Sequence, residues 1–184
     1  EETVAGCPLC PLCASRSRTV FGVGRRDADI LVVGEAPGAE EDRQGEPFVG
    51  RAGQLLDNML RALGYSREQV FIANMLKCRP PRNRDPEASE VAACWPYLDR
   101  QIELVAPQVI LAVGRIAAQS LLATDRPLRT LRQGSHQLPT RDVPVVVSYH
   151  PAYLLRSPQD KAKAWQDLRR LRGHLKPAMP EEEA

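Results

Sequence analysis

Residues 29–38 read DILVVGEAPG. An apolar run, Ile30 to Val33, ends on Gly34, and Pro37–Gly38 then turns the chain. A strand with one wet face would alternate apolar and polar residues. An unbroken run rich in β-branched residues fits a strand covered on both faces. The pattern recurs as VFIAN at 70–74, QVILAVG at 108–114 and VPVVVS at 143–148.

Helical spacing fills the intervals. Leu55, Leu56, Met59, Leu60 and Leu63 recur along one helical face after Gly50. Asp85–Pro86 reads as an N-cap followed by proline at the first helical position, opening a helix to about Val105. Pro96 predicts a kink or break within it. Arg115–Leu122 is a short helix, and Lys161–Leu175 carries Ala164, Trp165, Leu168 and Leu171 on one side. Strands alternating with helices predict an α/β fold, a parallel sheet with helices on both faces. Residues 7–176 read as one domain, between a flexible N-terminus, 1–6, and a flexible acidic tail, 177–184.

Composition agrees with a globular chain. Of 184 residues, 43% are hydrophobic and 26% charged, as in ordinary folded domains. Ile30–Val33 and Val143–Val147 are far shorter than the roughly 20 apolar residues needed to cross a bilayer, so no membrane association is expected. No basic, apolar and small-residue succession opens the chain, so a cytoplasmic location is expected. The net charge of +2 announces no nucleic-acid binder by itself, but the charge is sorted. Acidic residues at 40–42 and in the tail offset cations at 77–84, 126–132 and 156–176.

The five cysteines fall as Cys7, Cys10 and Cys13, then Cys78 and Cys94. In a reducing compartment such spacing points to metal rather than disulfides. Cys78 and Cys94 lie too far apart for the second half of a zinc ribbon, which favours an iron–sulfur cluster over zinc. Cys94 also reads as a small buried hydrophobe on its helix. A thioredoxin-like redox pair would follow a strand and open a helix, whereas Pro8 and Pro11 precede every strand.

The remaining unusual residues gather at strand carboxyl ends, where open α/β sheets bind ligands. Gly34–Gly38 follows the first strand, Asn74 closes the second, Gly114 the third, and His150–Pro151 follows the fourth. Glu40 reads as a solvated acidic face. Phe48, in the loop GEPFVG at 45–50, reads either as a stacking surface for a planar ring or as a hydrophobic staple for the next helix. Lys77, Arg79, Arg82 and Arg84 lie on a proline-stiffened loop suited to phosphates. Leu154 and Leu155 read as a wedge for a base stack or as core.

GEAPGAEEDRQGEPFVGRAGQLLDNML (34–60), IANMLKCRPPRNRDP (72–86) and HPAYLLR (150–156) resemble the motif blocks of the family-4 uracil-DNA glycosylases. The resemblance runs from about Cys7 to Leu171. It implies a three-layer αβα fold with a central four-stranded parallel sheet. It also implies hydrolysis of the N-glycosidic bond of deoxyuridine in single- or double-stranded DNA, by a monomer, leaving an abasic site. Carried over by position, Cys7, Cys10, Cys78 and Cys94 would hold a [4Fe–4S] cluster, with Cys13 spare. Glu35, Asn74 and His150 would be catalytic, with Glu35 beside the scissile bond, Asn74 reading the uracil edge and His150 facing O2. Gly34, Glu41 and Phe48 would complete the substrate pocket, Glu41 where thymine's methyl is excluded. Arg79, Arg82, Arg84, Leu154 and Arg156 would meet DNA. No Schiff-base lysine is expected.

Two features depart from the pattern. Cys13 competes with Cys10 as a ligand. Ala36 stands where better-known glycosylase families place an Asp or Asn, which leaves Glu35 as the candidate base. Three other readings follow: a uracil-DNA-binding damage sensor with little turnover, a DNA-linking relative using His136 in RTLRQGSH (129–136), and an electron-transfer iron–sulfur protein, for which no flavin signal exists.

Overall fold

The computed structural model describes residues 1–175. The expected acidic tail and Lys176 lie outside the described residues. Its strands are β1 (Val23–Gly24), β2 (Ile30–Gly34), β3 (Phe71–Asn74), β4 (Val109–Val113), β5 (His136–Gln137) and β6 (Pro144–Ser148). They form one sheet in the order β1-β3-β2-β4-β6-β5. The inner strands β3, β2, β4 and β6 are parallel, with Val32 beside Ile72, Leu31 beside Ile110 and Ile110 beside Val145.

The four apolar runs are the four parallel strands, but the sheet has six strands, not four. β1 and β5 are two-residue antiparallel strands on its edges. Two residues are too few to show alternation or an apolar run. Short edge strands also limit open pairing with another chain.

The continuous apolar runs are explained by cover on both faces. Ile30 and Val32 face a cluster supplied by α3 (Arg51–Leu63), α7 (Pro151–Arg156) and α8 (Lys161–Arg172), through Leu56, Leu60, Leu154, Leu168 and Leu171. Leu31 and Val33 face the opposite cluster, supplied by α4 (Ala88–Val105) and α5 (Arg115–Leu121) through Leu98, Ile102 and Ala118. α6 (Leu128–Leu131) adds Leu131 to that side.

α4 starts at Ala88, later than the expected Asp85–Pro86. The Glu90 carboxylate accepts the Glu87 backbone N–H at 2.8 Å, so capping falls to Glu87 and Glu90. Asp85 is drawn away into an ion pair with Arg115 at 2.6 Å. The helix continues through Pro96, contrary to the expected break. Pro96 and Ala92 are both exposed, so the hydrogen bond that proline removes falls on the wet side.

The opening residues, expected to be unanchored, form a helical turn, α1 (Glu2–Ala5), with Val4 buried. Arg16 donates to the Ala5 and Cys7 carbonyls, at 2.9 Å each, and ties this turn down. At the other end of the chain, Asp167 of α8 is fully buried. It pairs with Arg132 at 2.7 Å and accepts from the Ser148 hydroxyl at 2.9 Å. This network fixes the carboxyl end of β6. Because β3 and β4 flank β2 on opposite sides, the chain reverses its winding there, and the cleft opens outside those strand ends.

Candidate active site

A cleft of about 480 Å³ lies at the carboxyl ends of the parallel strands. It brings together Glu35, Glu41, Phe48, Asn74 and His150, which are separated in sequence. Gly34 is the floor. A Cβ there would overlap Asn74 Oδ1 and the Phe48 ring, so the residue must be glycine for these two groups to converge. Asn74 is the last residue of β3 and pairs with Gly34 in the sheet. It is 2% exposed, and its carboxamide makes no hydrogen bond to another described residue. That leaves one donor and one acceptor for a ligand edge.

Phe48 is buried and lines the cleft, stacked on His150 with ring centroids 5.6 Å apart and planes 27° apart. Its φ of 54° lies in the left-handed region, unusual for a bulky residue. Glu41 of α2 (Ala39–Gln44) holds the surrounding loops. Its carboxylate accepts the Gly38 N–H at 3.1 Å, Val49 N–H at 3.1 Å and Gly50 N–H at 3.3 Å. Glu41 borders the cleft while clipping the two glycine loops together. Glu40, read as solvated, is exposed and paired with Arg43 at 2.7 Å.

His150 caps α7. Its Nδ1 accepts the Ala152 N–H at 3.1 Å. In a neutral imidazole the proton is therefore on Nε2, which makes that nitrogen a donor. Burial, helped by the nearby Arg156 cation, pushes His150 down to about 4, so it is neutral at pH 7. A neutral donor at a helix start suits an oxygen that becomes anionic during reaction.

Glu35 is half-buried and makes no side-chain hydrogen bond to a described residue. Burial raises its pKa, Asp85 raises it further, and Arg115 opposes both. A carboxylate so placed is a stronger base than one in water. Ala36 also lines the cleft and brings no polar group to it.

The basic loop divides. Arg82 is exposed in the turn Pro81–Asn83, and Arg79 donates to Asn83 Oδ1 at 2.7 Å. Arg84 borders the cleft but is held by both oxygens of buried Glu90, at 2.8 and 2.6 Å. Arg156 is exposed at the cleft mouth with no ion pair among the described residues. Leu154 is 1% exposed in the core beneath α3 and is no wedge; Leu155 is the exposed member. α7 must seal the apolar face between α3 and α8, and Leu154 is the residue turned inward to do so. His136 bonds the Leu131 carbonyl at 2.7 Å and is not among the cleft residues.

Cys7, Cys10, Cys78 and Cys94 line one small void, and Cys13 does not. Among the described residues no three Cys, His, Asp or Glu side chains are gathered as ligands for a single metal ion. Arg16 Nη1 lies 3.2 Å from Cys78 Sγ, and the Lys77 backbone N–H donates to Cys94 Sγ at 3.2 Å. Burial raises the Cys78 thiol and pushes Cys94 up to about 11. Redox-reactive cysteines shift the other way.

Sequence reasoning missed two supports. Lys77, read as one of the loop's phosphate-facing cations, is instead buried, its Nζ donating to the Asn74 carbonyl at 2.8 Å and to Gln101 Oε1 at 2.7 Å. Arg67 clamps the Phe48 loop from behind. A buried lysine carries no sequence signature, and Arg67 stands outside every motif.

The doubly wound sheet thus brings a carboxylate, a carboxamide and an imidazole together around an aromatic wall at one cleft. The model of the uracil DNA glycosylase superfamily matches residues 21–169. A type-4 uracil-DNA glycosylase of Archaeoglobus fulgidus is 42% identical over 174 residues, covering 91% of this chain and 87% of that protein. One of Thermotoga maritima is 40% identical over 178 residues, covering 96% and 93%. A type-5 enzyme of Thermus thermophilus is 30% identical over 184 residues, covering 81% and 84%. The chain belongs to the uracil DNA glycosylase superfamily, in its type-4 branch.

Proposed function

We infer that this protein is a monofunctional uracil-DNA glycosylase. It hydrolyses the bond between uracil N1 and deoxyribose C1′ and leaves an abasic site in DNA. The observation that carries this reading is the convergence of the Asn74 carboxamide and the neutral His150 imidazole on one cleft walled by Phe48.

The base must leave the helix stack to enter such a cleft. Phe48 then offers a stacking face. Asn74 accepts from uracil N3–H and donates to O4, whereas cytosine presents the opposite pattern. A site built to hydrogen-bond one pattern rejects the other by as much as about 10⁴-fold. As the bond breaks, the sugar gains positive charge and O2 gains negative charge, which His150 Nε2–H stabilises. Water adds to C1′, and Glu35 takes its proton. Ala36 cannot orient that water, so this role falls to Glu35. Glu41 acts by holding the loops, and through them the pocket wall on which thymine's methyl would press. Arg79, Arg82 and Arg156 are placed for phosphates; Arg84, neutralised by Glu90, orders the loop.

The thiol set fits a [4Fe–4S] cluster. Cys7, Cys10, Cys78 and Cys94 line a common void, and Arg16 and the Lys77 N–H lie beside Cys78 and Cys94, where they would offset thiolate charge. The wide separation of Cys78 and Cys94 in sequence favours iron–sulfur over a zinc ribbon. Bound there, a cluster supplies a cross-link between the N-terminal segment, the 78 loop and α4, with no redox step. Residues 7–176 act as one domain and as a monomer, in the cytoplasm. Among the described residues no helix is long and apolar enough to cross a membrane.

An oligonucleotide with a single uracil, treated with the protein and then alkali, tests the activity. Strand cleavage at that position is expected. Tight binding without cleavage would instead establish the damage-sensing alternative.

A further inference from the structure

Phe48 occupies a backbone conformation that costs energy, and the surroundings must hold it there. A bulky residue in the left-handed region persists only where several contacts over-determine it. Glu41 binds the N–H groups on the C-terminal side of Phe48, at Val49 and Gly50. On the other side the only side chain holding the loop's carbonyls is Arg67, among the described residues.

Arg67 opens the turn Arg67–Gln69 that leads into β3. Its side chain is 15% exposed and lies outside the cleft. Nη1 donates to the Phe48 carbonyl at 3.4 Å and to Asp57 Oδ1 at 3.3 Å. Nη2 donates to the Pro47 carbonyl and to Glu46 Oε1, the latter at 3.0 Å, and Nε reaches the same oxygen at 3.3 Å. One planar fork therefore joins the loop, α3 and the entry to β3. The backbone lies close on the α3 side as well: a Cβ on Gly53 would overlap the Phe48 carbonyl. The loop is pressed onto the helix at the point where Arg67 pins it.

We propose that Arg67 is a positioning residue for base recognition. It holds Phe48 in its left-handed conformation and thereby sets the stacking wall that contacts both the flipped base and His150. A carbonyl pair, two carboxylates and a fixed plane call for guanidinium geometry, which lysine lacks. The inference rests on the reading of the cleft as a uracil pocket.

The test is a double-mutant cycle on kcat/KM for uracil excision, together with equilibrium binding of free uracil. Arg67→Met and Arg67→Lys are each expected to lower kcat/KM on the order of 10–100-fold, the effect of misplacing a group by about 1 Å. Uracil binding should weaken with it. In a Phe48→Ala background the same changes should cost less than about 2-fold, because contacting residues couple and the group being positioned is gone. A merely structural Arg67 would lower thermal stability and leave the losses additive. Additive losses, or wild-type kinetics in Arg67→Lys, would overturn the inference. If Arg67→Met does not fold, Asp57→Asn weakens the same fork, and its kinetic loss must likewise vanish with Phe48→Ala. Failure of the wild-type protein to excise uracil would refute the activity itself, whereas additivity in an active enzyme refutes only the role of Arg67.

Discussion

Phe48 and His150 stack face to face, 5.6 Å apart, from loops more than a hundred positions distant in sequence. The stack helps bury the imidazole and keep it neutral, and the Ala152 N–H on Nδ1 fixes which nitrogen donates. His150→Asn retains an N-capping side chain but not a donor at the position of Nε2. It should lower kcat by roughly 10²–10³-fold, as loss of one oxyanion donor does, with little change in melting temperature. The pH dependence of stability follows from the same burial. The unfolded imidazole takes a proton at its ordinary 6.5, whereas the folded one resists until about 4. The unfolded state thus binds more protons between these values, and His150 makes the fold lose stability as pH falls from 6.5 toward 4. Urea titrations across that window should show this slope reduced in His150→Asn.

Glu35 should set the acid limb of activity. Burial and Asp85 raise its pKa, and the base works only when ionised. The rate should therefore rise with pH through that raised value and then level off. Glu35→Gln should remove the limb and cost about 10²–10⁴-fold, the usual contribution of a positioned base. Asp85→Asn should move the limb to lower pH, because one of the two raising influences is gone. A limb that persists unchanged in Glu35→Gln would assign the base elsewhere.

Leu154 separates a core role from a DNA role. Its side chain is buried among residues of α3 and α8. Leu154→Ala should destabilise the protein by about 2–5 kcal/mol, measurable by denaturant unfolding without DNA. Leu155→Ala, at an exposed position, should change stability by less than about 0.5 kcal/mol. A Leu154→Ala protein of unchanged stability but weakened duplex binding would restore the wedge.

The parallel core was legible because four runs covered on both faces have a composition that half-exposed strands lack. The strand ends then located Gly34, Asn74 and His150 at one cleft. What stayed hidden is set by short elements and by long-range polar contacts. β1 and β5 have no length in which a period could appear. The Arg67 fork, the Asp167–Arg132 pair and the Lys77 bridge each join segments distant in sequence, and nothing local marks them. Leu154 and Leu155 are adjacent, and only the packing of α7 decides which turns inward. Pro86 gave a sound local signal that lost to a stronger one, the Glu90 carboxylate serving both a cap and Arg84.

Cys10 and Cys13 compete as ligands in the sequence, where Cys13 reads as the spare, and they differ in the structure. Cys10 lines the void with Cys7, Cys78 and Cys94, while Cys13 stands outside it. Cys10→Ala should abolish the broad visible absorption of an iron–sulfur chromophore and lower bound iron and sulfide. Cys13→Ala should leave all three at wild-type levels. Loss of a metal centre removes folding free energy, because the site is assembled only in the folded chain. Cys10→Ala should therefore also loosen the N-terminal turn that Arg16 ties to Cys7 and Cys78, seen as faster proteolysis ahead of β1. Cluster content that falls in Cys13→Ala and survives in Cys10→Ala would reverse the assignment, and zinc in place of iron and sulfide in the wild-type protein would overturn the cluster.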